Sequence, residues 1–257
     1  MANGQWLIAK YIMANLIVDE GNTLCKIAVL DKSEVLCEVS APEFDLAKVA
    51  ELAEQFSIEQ AVVASTRGGA EQICEQLRSK IKRVLHFTSQ TEVPIEIDYS
   101  SRETLGTDRI AVAVGVVCKM GIKEALVVDM GSAITYDIIE NGAFKGGNIS
   151  LGVAMRFKAL HEFTAALPLC DATEPNGEFG RSTREAIEQG VMQGILHEIE
   201  GYVARISSAN VKKCIIFCGG DAESFVNRIK SAIFAPRKLM FTGLNRILEY
   251  NVSKNNI

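Results

Sequence analysis

The feature that most constrains this chain is a short strand-and-turn pattern that occurs twice, about half a chain apart. Residues 19–23 (DEGNT) and 129–133 (DMGSA) each follow an apolar run, and each contains an Asp-x-Gly sequence. A single Asp-x-Gly after an apolar strand usually indicates only a hairpin turn. Two of them at matching positions, in halves with the same order of elements, favour a functional role for both turns.

The spacing of apolar residues predicts the same plan in both halves, in which three strands precede a helix, a strand and a further helix. We expect strands at residues 16–18, 26–30, 35–40, 61–64, 84–88, 125–128, 134–139, 143–149 and 214–218. We expect helices at residues 49–56, 70–80, 102–119, 153–165 and 183–207, after Asp221, and from about residue 242 to the end.

This plan predicts an α/β fold made of duplicated domains. Each domain is a mixed sheet that opens with a three-stranded meander and is flanked by helices. We place the domains at residues 13–118 and 122–257. Residues 1–12 are expected to be an N-terminal extension, because Met13 stands immediately before the first strand.

Composition excludes several classes of partner. The 257 residues are 48% hydrophobic, which is enough to build two cores, and a net charge of -5 argues against binding to nucleic acid or to an anionic membrane surface. The seven cysteines form none of the close pairs of a zinc or redox motif, so we expect reduced thiols in the cytoplasm. No segment is apolar over the length that a membrane span requires.

The first hairpin contains the groups that phosphoryl transfer requires, namely backbone amides, hydroxyl or amide donors, a positive charge and a carboxylate. Gly21 lets phosphate approach the backbone, Asn22 and Thr23 add side-chain donors, and Lys26 adds positive charge. Asp19 could hold Mg²⁺ directly or through water. The first hairpin is therefore a candidate phosphate site.

The second hairpin repeats this chemistry with Ser132 as a phosphate donor and Asp129 as a second cation ligand. Further along, residues 218–221 (CGGD) join an apolar strand to a helix, and the glycine pair would let a flat group such as adenine approach the backbone. A plain strand-to-helix turn with Asp221 as the helix N-cap explains these residues equally well.

A second acidic motif lies at residues 106–109 (GTDR), near a predicted helix start. Asp108 could accept a proton from a substrate hydroxyl, while Arg109 holds an acceptor group on the substrate. An Asp followed by Arg at a helix N-terminus is more often simple helix electrostatics, so the residues alone do not select Asp108 as a base.

Other catalytic patterns are missing from the sequence. It contains no G-x-x-x-x-G-K-[ST] loop and no G-x-G-x-x-G after a strand, which disfavours P-loop and dinucleotide-binding folds. The histidines at positions 86, 161 and 197 show no ligand spacing, and nothing ties a Ser or Cys nucleophile to a base.

The motifs, taken together and in order, resemble those of type III pantothenate kinases over nearly the whole chain from residue 15. They are residues 19–26 (DEGNTLCK), 106–109 (GTDR), 129–137 (DMGSAITYD), 146–147 (GG) and 180–187 (GRSTREAI). The resemblance implies a duplicated actin-like, ribonuclease H-like fold that is shared with sugar kinases and Hsp70. It also implies a homodimer that phosphorylates pantothenate with ATP, as the first step towards coenzyme A.

The resemblance also implies roles for individual residues. Asp108 would accept the proton from pantothenate, and the substrate contacts would be Tyr99, Gly106, Thr107, Asp108, Arg109 and, from across the dimer interface, Thr183. ATP would be bound by Asp19, Glu20, Gly21, Asn22, Thr23, Leu24, Cys25, Lys26 and Ser132. Mg²⁺ is expected with ATP, and Asp129 would hold a monovalent cation, K⁺ or NH₄⁺.

The chain departs from the family pattern at three positions. Ser132 stands where Thr is common, and Leu151 stands where proline is usual. Glu20 replaces an apolar residue, and we expect its side chain to point away from phosphate. Two rival functions remain, namely another small-molecule kinase or phosphatase of the same fold, and an accessory factor for gene expression without catalysis.

Overall fold

The computed structural model describes residues 13–207, 213–230, 232–235, 238–255 and 257. The expected N-terminal extension, residues 1–12, lies outside these ranges. The strands are β1 (Met13–Glu20), β2 (Cys25–Asp31), β3 (Glu34–Ala41), β4 (Ser57–Ser65), β5 (Arg83–His86), β6 (Ala125–Met130), β7 (Ala133–Glu140), β8 (Ala143–Leu151), β9 (Cys214–Cys218) and β10 (Ala232–Phe234).

The helices follow the first three strands of each sheet and lie between or after its later strands. They are α1 (Leu46–Gln55), α2 (Ala70–Arg78), α3 (Thr107–Val114), α4 (Val153–Glu162), α5 (Thr183–Ser207), α6 (Glu223–Val226) and α7 (Leu239–Ser253). A 3₁₀ turn at Arg102–Thr104 precedes α3, and a π-helical turn at Gly115–Lys119 follows it. Within the described residues, no helix combines the length and the apolar composition needed to cross a lipid bilayer.

The two five-stranded sheets have the same topology, which confirms the predicted duplication. Their orders are β3-β2-β1-β4-β5 and β10-β9-β6-β7-β8. In each sheet the first three strands form an antiparallel meander, and the fourth strand in sequence pairs in parallel with the first. As a result, β1 and β6 are the central strands of their sheets, and each carries an apolar run, residues 16–18 and 125–128, directly before the aspartate near its end.

The described residues divide into two compact units: those from 13 to 121 together with those from 238 onwards, and those from 122 to 235. The sequence placed the terminal helix in the second domain, at 122–257, whereas α7 packs within the first unit. Gly243 explains this packing, because a Cβ at that position would overlap the carbonyl oxygen of Ala111 in α3. The backbones of α3 and α7 thus approach closely, and Leu244 and Ile247 are buried beside the contact.

The core of each unit lies on the faces of its sheet. In the first unit, Leu16 and Val18 of β1 are fully buried, together with apolar residues of α1 and α2. In the second unit, Leu126 and Val128 of β6 pack with residues of α4 and α5. Burial of each such side chain stabilises the fold by roughly 1.5–3 kcal/mol, so the central strands are rigid supports for the polar residues at their ends.

The sequence predicted one helix across residues 102–119, and this prediction is wrong. Leu105 and Gly106 are extended, with ψ angles of 126° and 133°, and separate the 3₁₀ turn from α3. The break makes Gly106 the N-cap of α3, so that Asp108 lies in the first helical turn. The short strand β10 was not predicted, and α7 begins three residues before the expected start.

Candidate active site

The first unit carries an acidic site where β1 ends. Asp19 has an ionisable side chain and is nevertheless only 7% exposed. Its strand partner in β2 is Lys26. The pKa of Asp19 is raised to about 6, and burial is the largest cause. The positive charge of Lys26 opposes this rise, whereas the negative charges of Asp108 and Glu20 add to it. Two sequence-predicted carboxylates, Asp19 and Asp108, therefore interact within one unit.

The hairpin that follows Asp19 exposes its tip. The backbone N–H of Gly21 donates to the carbonyl of Leu24 at 3.0 Å, and Asn22, Thr23 and Leu24 are all exposed. Cys25 is fully buried, so only its backbone could meet a ligand. The tip is therefore an exposed turn beside a cation, Lys26, and a buried carboxylate, Asp19.

Glu20, the unusual acidic residue of this hairpin, faces the loop after β4. Its carboxylate accepts a hydrogen bond from the hydroxyl of Ser65 at 2.5 Å, and its carbonyl accepts one from the backbone N–H of Thr66 at 2.9 Å. The Glu20 carboxylate therefore already accepts a hydrogen bond from within the protein.

The substrate-contact candidates of the first unit lie at the start of α3. The Oδ1 atom of Asp108 accepts a hydrogen bond from the backbone N–H of Arg109 at 2.8 Å, which fixes the carboxylate at the positive end of the helix. The guanidinium of Arg109, a residue only 6% exposed, lies 5.9 Å from the centre of the Tyr99 ring. Gly106 and Thr107 form the helix start, so these five residues belong to one region.

The second unit carries the matching acidic residue, Asp129, near the end of β6. Its neighbour in the sheet is Cys218 of β9, and both residues lie beside the buried Asp137 of β7. Burial, followed by the charges of Asp129 and Asp137, holds the pKa of the Cys218 thiol well above its usual range. The Cys218 thiol therefore stays protonated beside the two aspartates.

The CGGD segment crosses directly over the end of β6. Gly219 has a φ angle of +92°, and a Cβ on it would lie 2.5 Å from Oδ1 of Asp129. The backbone N–H of Asp221 donates to the carbonyl of Met130 at 3.1 Å. Because Gly219 has no side chain, it leaves room for the Asp129 carboxylate, a packing role that does not depend on any ligand.

Ser132 and Thr183 are exposed parts of the second unit. Ser132 lies in the turn between β6 and β7, where the N–H of Gly131 donates to the carbonyl of Ala133 at 3.0 Å. Thr183 is the first residue of α5, and its neighbours form a cap in which Ser182 Oγ accepts the N–H of Glu185 and Glu185 accepts the N–H of Arg181. Leu151 ends β8 with its side chain 45% exposed.

Two residues of these sites were missed by sequence reasoning. Asp137 was inside a quoted motif, and an acidic residue within the apolar strand Ala133–Glu140 was a usable signal, because a buried carboxylate needs a specific reason. Arg67 lies in the loop after β4 and bonds to the hairpin carbonyl of Asn22, but no motif in the sequence marks it.

The duplicated mixed sheets, each with an aspartate near the end of its central strand, are the architecture of the actin-like fold. A solved structure of a putative 2-dehydro-3-deoxygalactonokinase from Sinorhizobium meliloti has this fold, with a TM-score of 0.58 at 12% identity over 92% of this chain and 98% of that chain. The likeness confirms the predicted fold.

The profile of the type III pantothenate kinase family matches residues 15–205. A type III pantothenate kinase of Bacteroides fragilis is 39% identical over 238 residues, which cover 92% of this chain and 98% of that protein. The chain therefore belongs to the type III pantothenate kinase family. A solved structure of a conserved putative Baf family transcriptional activator from Campylobacter jejuni is 26% identical, with a TM-score of 0.59, over 93% of this chain and 99% of that one.

Proposed function

We propose that this chain is a phosphotransferase that moves the γ-phosphate of ATP to pantothenate, giving 4′-phosphopantothenate in the first step of coenzyme A biosynthesis. The observation that carries the proposal is the pair of interacting carboxylates, Asp19 and Asp108, in a chain of this family. The cations Lys26 and Arg109 flank the pair within the same unit. Such a set suits a reaction in which a proton leaves a hydroxyl while negative phosphate oxygens are held nearby.

Asp108 acts as the general base. Its carboxylate takes the proton of the pantothenate hydroxyl, and the oxygen attacks the γ-phosphorus in line with the departing ADP oxygen. The transfer is direct, so no covalent phosphoenzyme forms. The bond from the Arg109 amide supports this role, because it holds one carboxylate oxygen and leaves the other for the substrate.

Pantothenate binds next to this base. Arg109 offers a planar fork of N–H donors that matches a carboxylate, and Tyr99 packs near the guanidinium. Gly106 and Thr107 contribute the backbone at the helix start, where the dipole favours a negative group. Thr183 completes the site from the second subunit of a dimer.

The phosphates of ATP bind to the hairpin of residues 19–26 and to Ser132, whose exposed backbone and hydroxyl groups supply donors. Asp19 suits Mg²⁺, because this ion binds one or two carboxylates along with waters and phosphate oxygens. The raised pKa of Asp19 agrees with this role, since a bound cation would offset the cost of the buried charge. Across the described ranges, no three His, Cys, Asp or Glu side chains converge into a group that could hold a metal alone.

Asp129 binds a monovalent cation, K⁺ or NH₄⁺. Its carboxylate and the backbone carbonyl of Met130 both lie beside Gly219, where a Cβ would overlap them. Carboxylate and carbonyl oxygens are the ligands that such hard cations prefer.

The protein works as a homodimer in the cytoplasm. The second unit has a strongly apolar surface near Thr183, where Phe163 is 85% exposed beside a cavity of 760 Å³ lined by residues of α4 and α5. An exposed patch of this kind marks an interface in many proteins. All seven cysteines are free thiols, which supports a reducing compartment.

The test is ATP-dependent phosphorylation of pantothenate by the purified protein with Mg²⁺, in matched potassium, ammonium and sodium buffers. We expect 4′-phosphopantothenate in potassium or ammonium and little in sodium. Product formation that is equal in all three buffers would refute the cation role of Asp129 and leave the kinase activity standing.

The similar Campylobacter jejuni protein is named as a putative transcriptional activator, which favours a second candidate, a regulatory factor that binds ATP without transferring phosphate. Retention of Asp19, Asp108 and Asp129 together argues against it, because a scaffold has no need of three carboxylates at phosphate sites. ATP binding without any product, in folded protein and in all three buffers, would support the regulatory function.

A further inference from the structure

The last residue of β4 and the loop that follows it, residues 65–69 (STRGG), are joined to the first hairpin by several hydrogen bonds. Besides the three hydrogen bonds that Ser65 and Thr66 donate to Glu20, the hydroxyl oxygen of Ser65 accepts the backbone N–H groups of Arg67 and Gly68 at 3.0 and 3.1 Å. The loop is thereby folded around one hydroxyl, and Glu20 is the acceptor that orients this hydroxyl.

The side chain of Arg67 extends from this loop to the tip of the hairpin. Its Nε and Nη2 atoms donate to the carbonyl of Asn22 at 3.2 and 2.9 Å, and its Nη1 atom donates to the carbonyl of Pro42 at 3.0 Å. One exposed side chain thus joins the β1–β2 turn to the residue after β3. A guanidinium can do this because its N–H donors are fixed in a plane, whereas the single nitrogen of lysine cannot match both carbonyls in the same geometry.

We propose that Arg67 is a positioning residue for the nucleotide, which fixes the carbonyl of Asn22 and hence the direction of the amides at the hairpin tip. The inference rests on the proposed function, in which these amides bind the phosphates of ATP. The peptide group is planar, so a carbonyl held by two donors also fixes the N–H of the next residue, Thr23.

The charge of Arg67 has a second effect at the hairpin. The pKa of the buried Cys25 thiol is raised to about 11, first by burial and then by the negative charges of Glu20 and Asp19. The positive charge of Arg67 opposes this rise. At the Cys25 thiol, the positive charge of Arg67 thus acts against the negative charge of Glu20.

The test compares Arg67→Ala and Arg67→Lys with a matched control, Arg78→Ala. Arg78 is the last residue of α2, is similarly exposed, and pairs with the exposed carboxylate of Glu71 on the same helix. For each protein, the KM for ATP, the KM for pantothenate and kcat are measured together with the midpoint of thermal unfolding.

We expect Arg67→Ala to raise the KM for ATP by about tenfold or more, the effect of losing hydrogen bonds from a charged donor, with the KM for pantothenate within about twofold of wild type. Arg67→Lys should recover only part of the loss, and Arg78→Ala should behave as wild type. An unchanged KM for ATP in Arg67→Ala would overturn the proposal. So would full recovery by lysine, or an equal rise in both KM values.

Two further readouts keep this result separate from the proposed substrate. Calorimetric titration with Mg²⁺-ATP needs no pantothenate, and amide hydrogen exchange of residues 19–26 needs no ligand. Arg67→Ala should weaken ATP binding and speed exchange in this segment but not in residues 129–133. Wild-type protein that binds ATP yet phosphorylates no pantothenate would refute the substrate alone, whereas failure of wild type to bind ATP would refute the role of Arg67 as well.

Discussion

The carboxylates of Asp19 and Asp108 lie in the first unit, and the negative charges of the two groups repel each other. Burial is the main reason that the pKa of Asp19 reaches about 6, Lys26 lowers it, and the charge of Asp108 raises it further. The protein therefore keeps a carboxylate that is costly to ionise next to a second acidic group. Such an arrangement is common at functional sites and is rarely needed for stability alone.

The first prediction concerns stability. Because the pKa of Asp19 is higher in the folded chain than its ordinary 3.8, the folded state binds this proton more tightly than the unfolded state. Stability should fall as the pH rises from about 4 through 6, by an amount on the order of 3 kcal/mol. The neutral, similarly shaped Asp19→Asn should lack this loss and be more stable than wild type at pH 8, with little difference at pH 4.

Denaturant unfolding at both pH values, with EDTA and no nucleotide, measures this effect. Glu43→Gln, which removes an exposed carboxylate of the same unit, is the control and should change little. A variant Asp19→Asn that is less stable than wild type at pH 8 would show that the carboxylate is held by favourable contacts and not merely tolerated.

The second prediction concerns catalysis. Asp108→Asn keeps the shape of the side chain and an oxygen that can accept the Arg109 amide, but it removes the base. We expect kcat to fall by about 10²–10⁴-fold, with the KM for ATP and the unfolding midpoint little changed. Steady-state kinetics and thermal unfolding check this. If the variant kept more than about a tenth of wild-type kcat, Asp108 would not be the base.

Much of the fold could be predicted because its signals are local. The hairpins at Gly21 and Gly131 follow from turn chemistry beside apolar strands, and strand β9 matches the predicted residues 214–218. Repetition of the same element order in both halves then predicted the duplicated sheets.

Other features depend on contacts between distant residues, and the sequence does not mark them. The packing of α7 depends on how closely Gly243 can approach Ala111, far away in the chain. Arg67 is joined to Asn22 across 45 residues, in a loop whose sequence is typical of an ordinary turn. The apolar run after Arg102 predicts helix throughout, whereas the extended backbone at Gly106 starts a separate helix and places Asp108 in its first turn.

The third prediction uses the glycine pair after β9. Gly219→Ala would force a left-handed backbone on a residue with a Cβ and would push that Cβ against the carboxylate of Asp129, whereas a Cβ on Gly220 meets no atom within 4 Å. We expect Gly219→Ala to lose at least about 1 kcal/mol of stability and most of the activation by potassium.

Gly220→Ala is the matched control, since it makes the same chemical change one residue away. Activity in potassium and in sodium, and denaturant unfolding, are measured for both variants. Equal activation by potassium in Gly219→Ala and wild type would mean that the cation does not bind at Asp129.

The fourth prediction concerns the proposed homodimer. The exposed side chain of Phe163 lies on the same part of the second unit as Thr183, and burying it against a second copy would remove a large apolar area from water. A charge there would have to be buried without a partner, so Phe163→Glu should convert the dimer to monomers in light scattering. It should also lower activity, because Thr183 would no longer reach the pantothenate of another subunit.

Phe234→Glu is the control for this change, since Phe234 is 41% exposed on β10, at the opposite edge of the same sheet from β8. It should leave the dimer and the activity unchanged. A dimer that survives Phe163→Glu but dissociates with Phe234→Glu would place the interface on the β10 edge, and Thr183 could then not be the residue that crosses it. If wild type were already monomeric and fully active, each chain would bind pantothenate alone, and the residues of α3 would have to hold it without Thr183 from a partner.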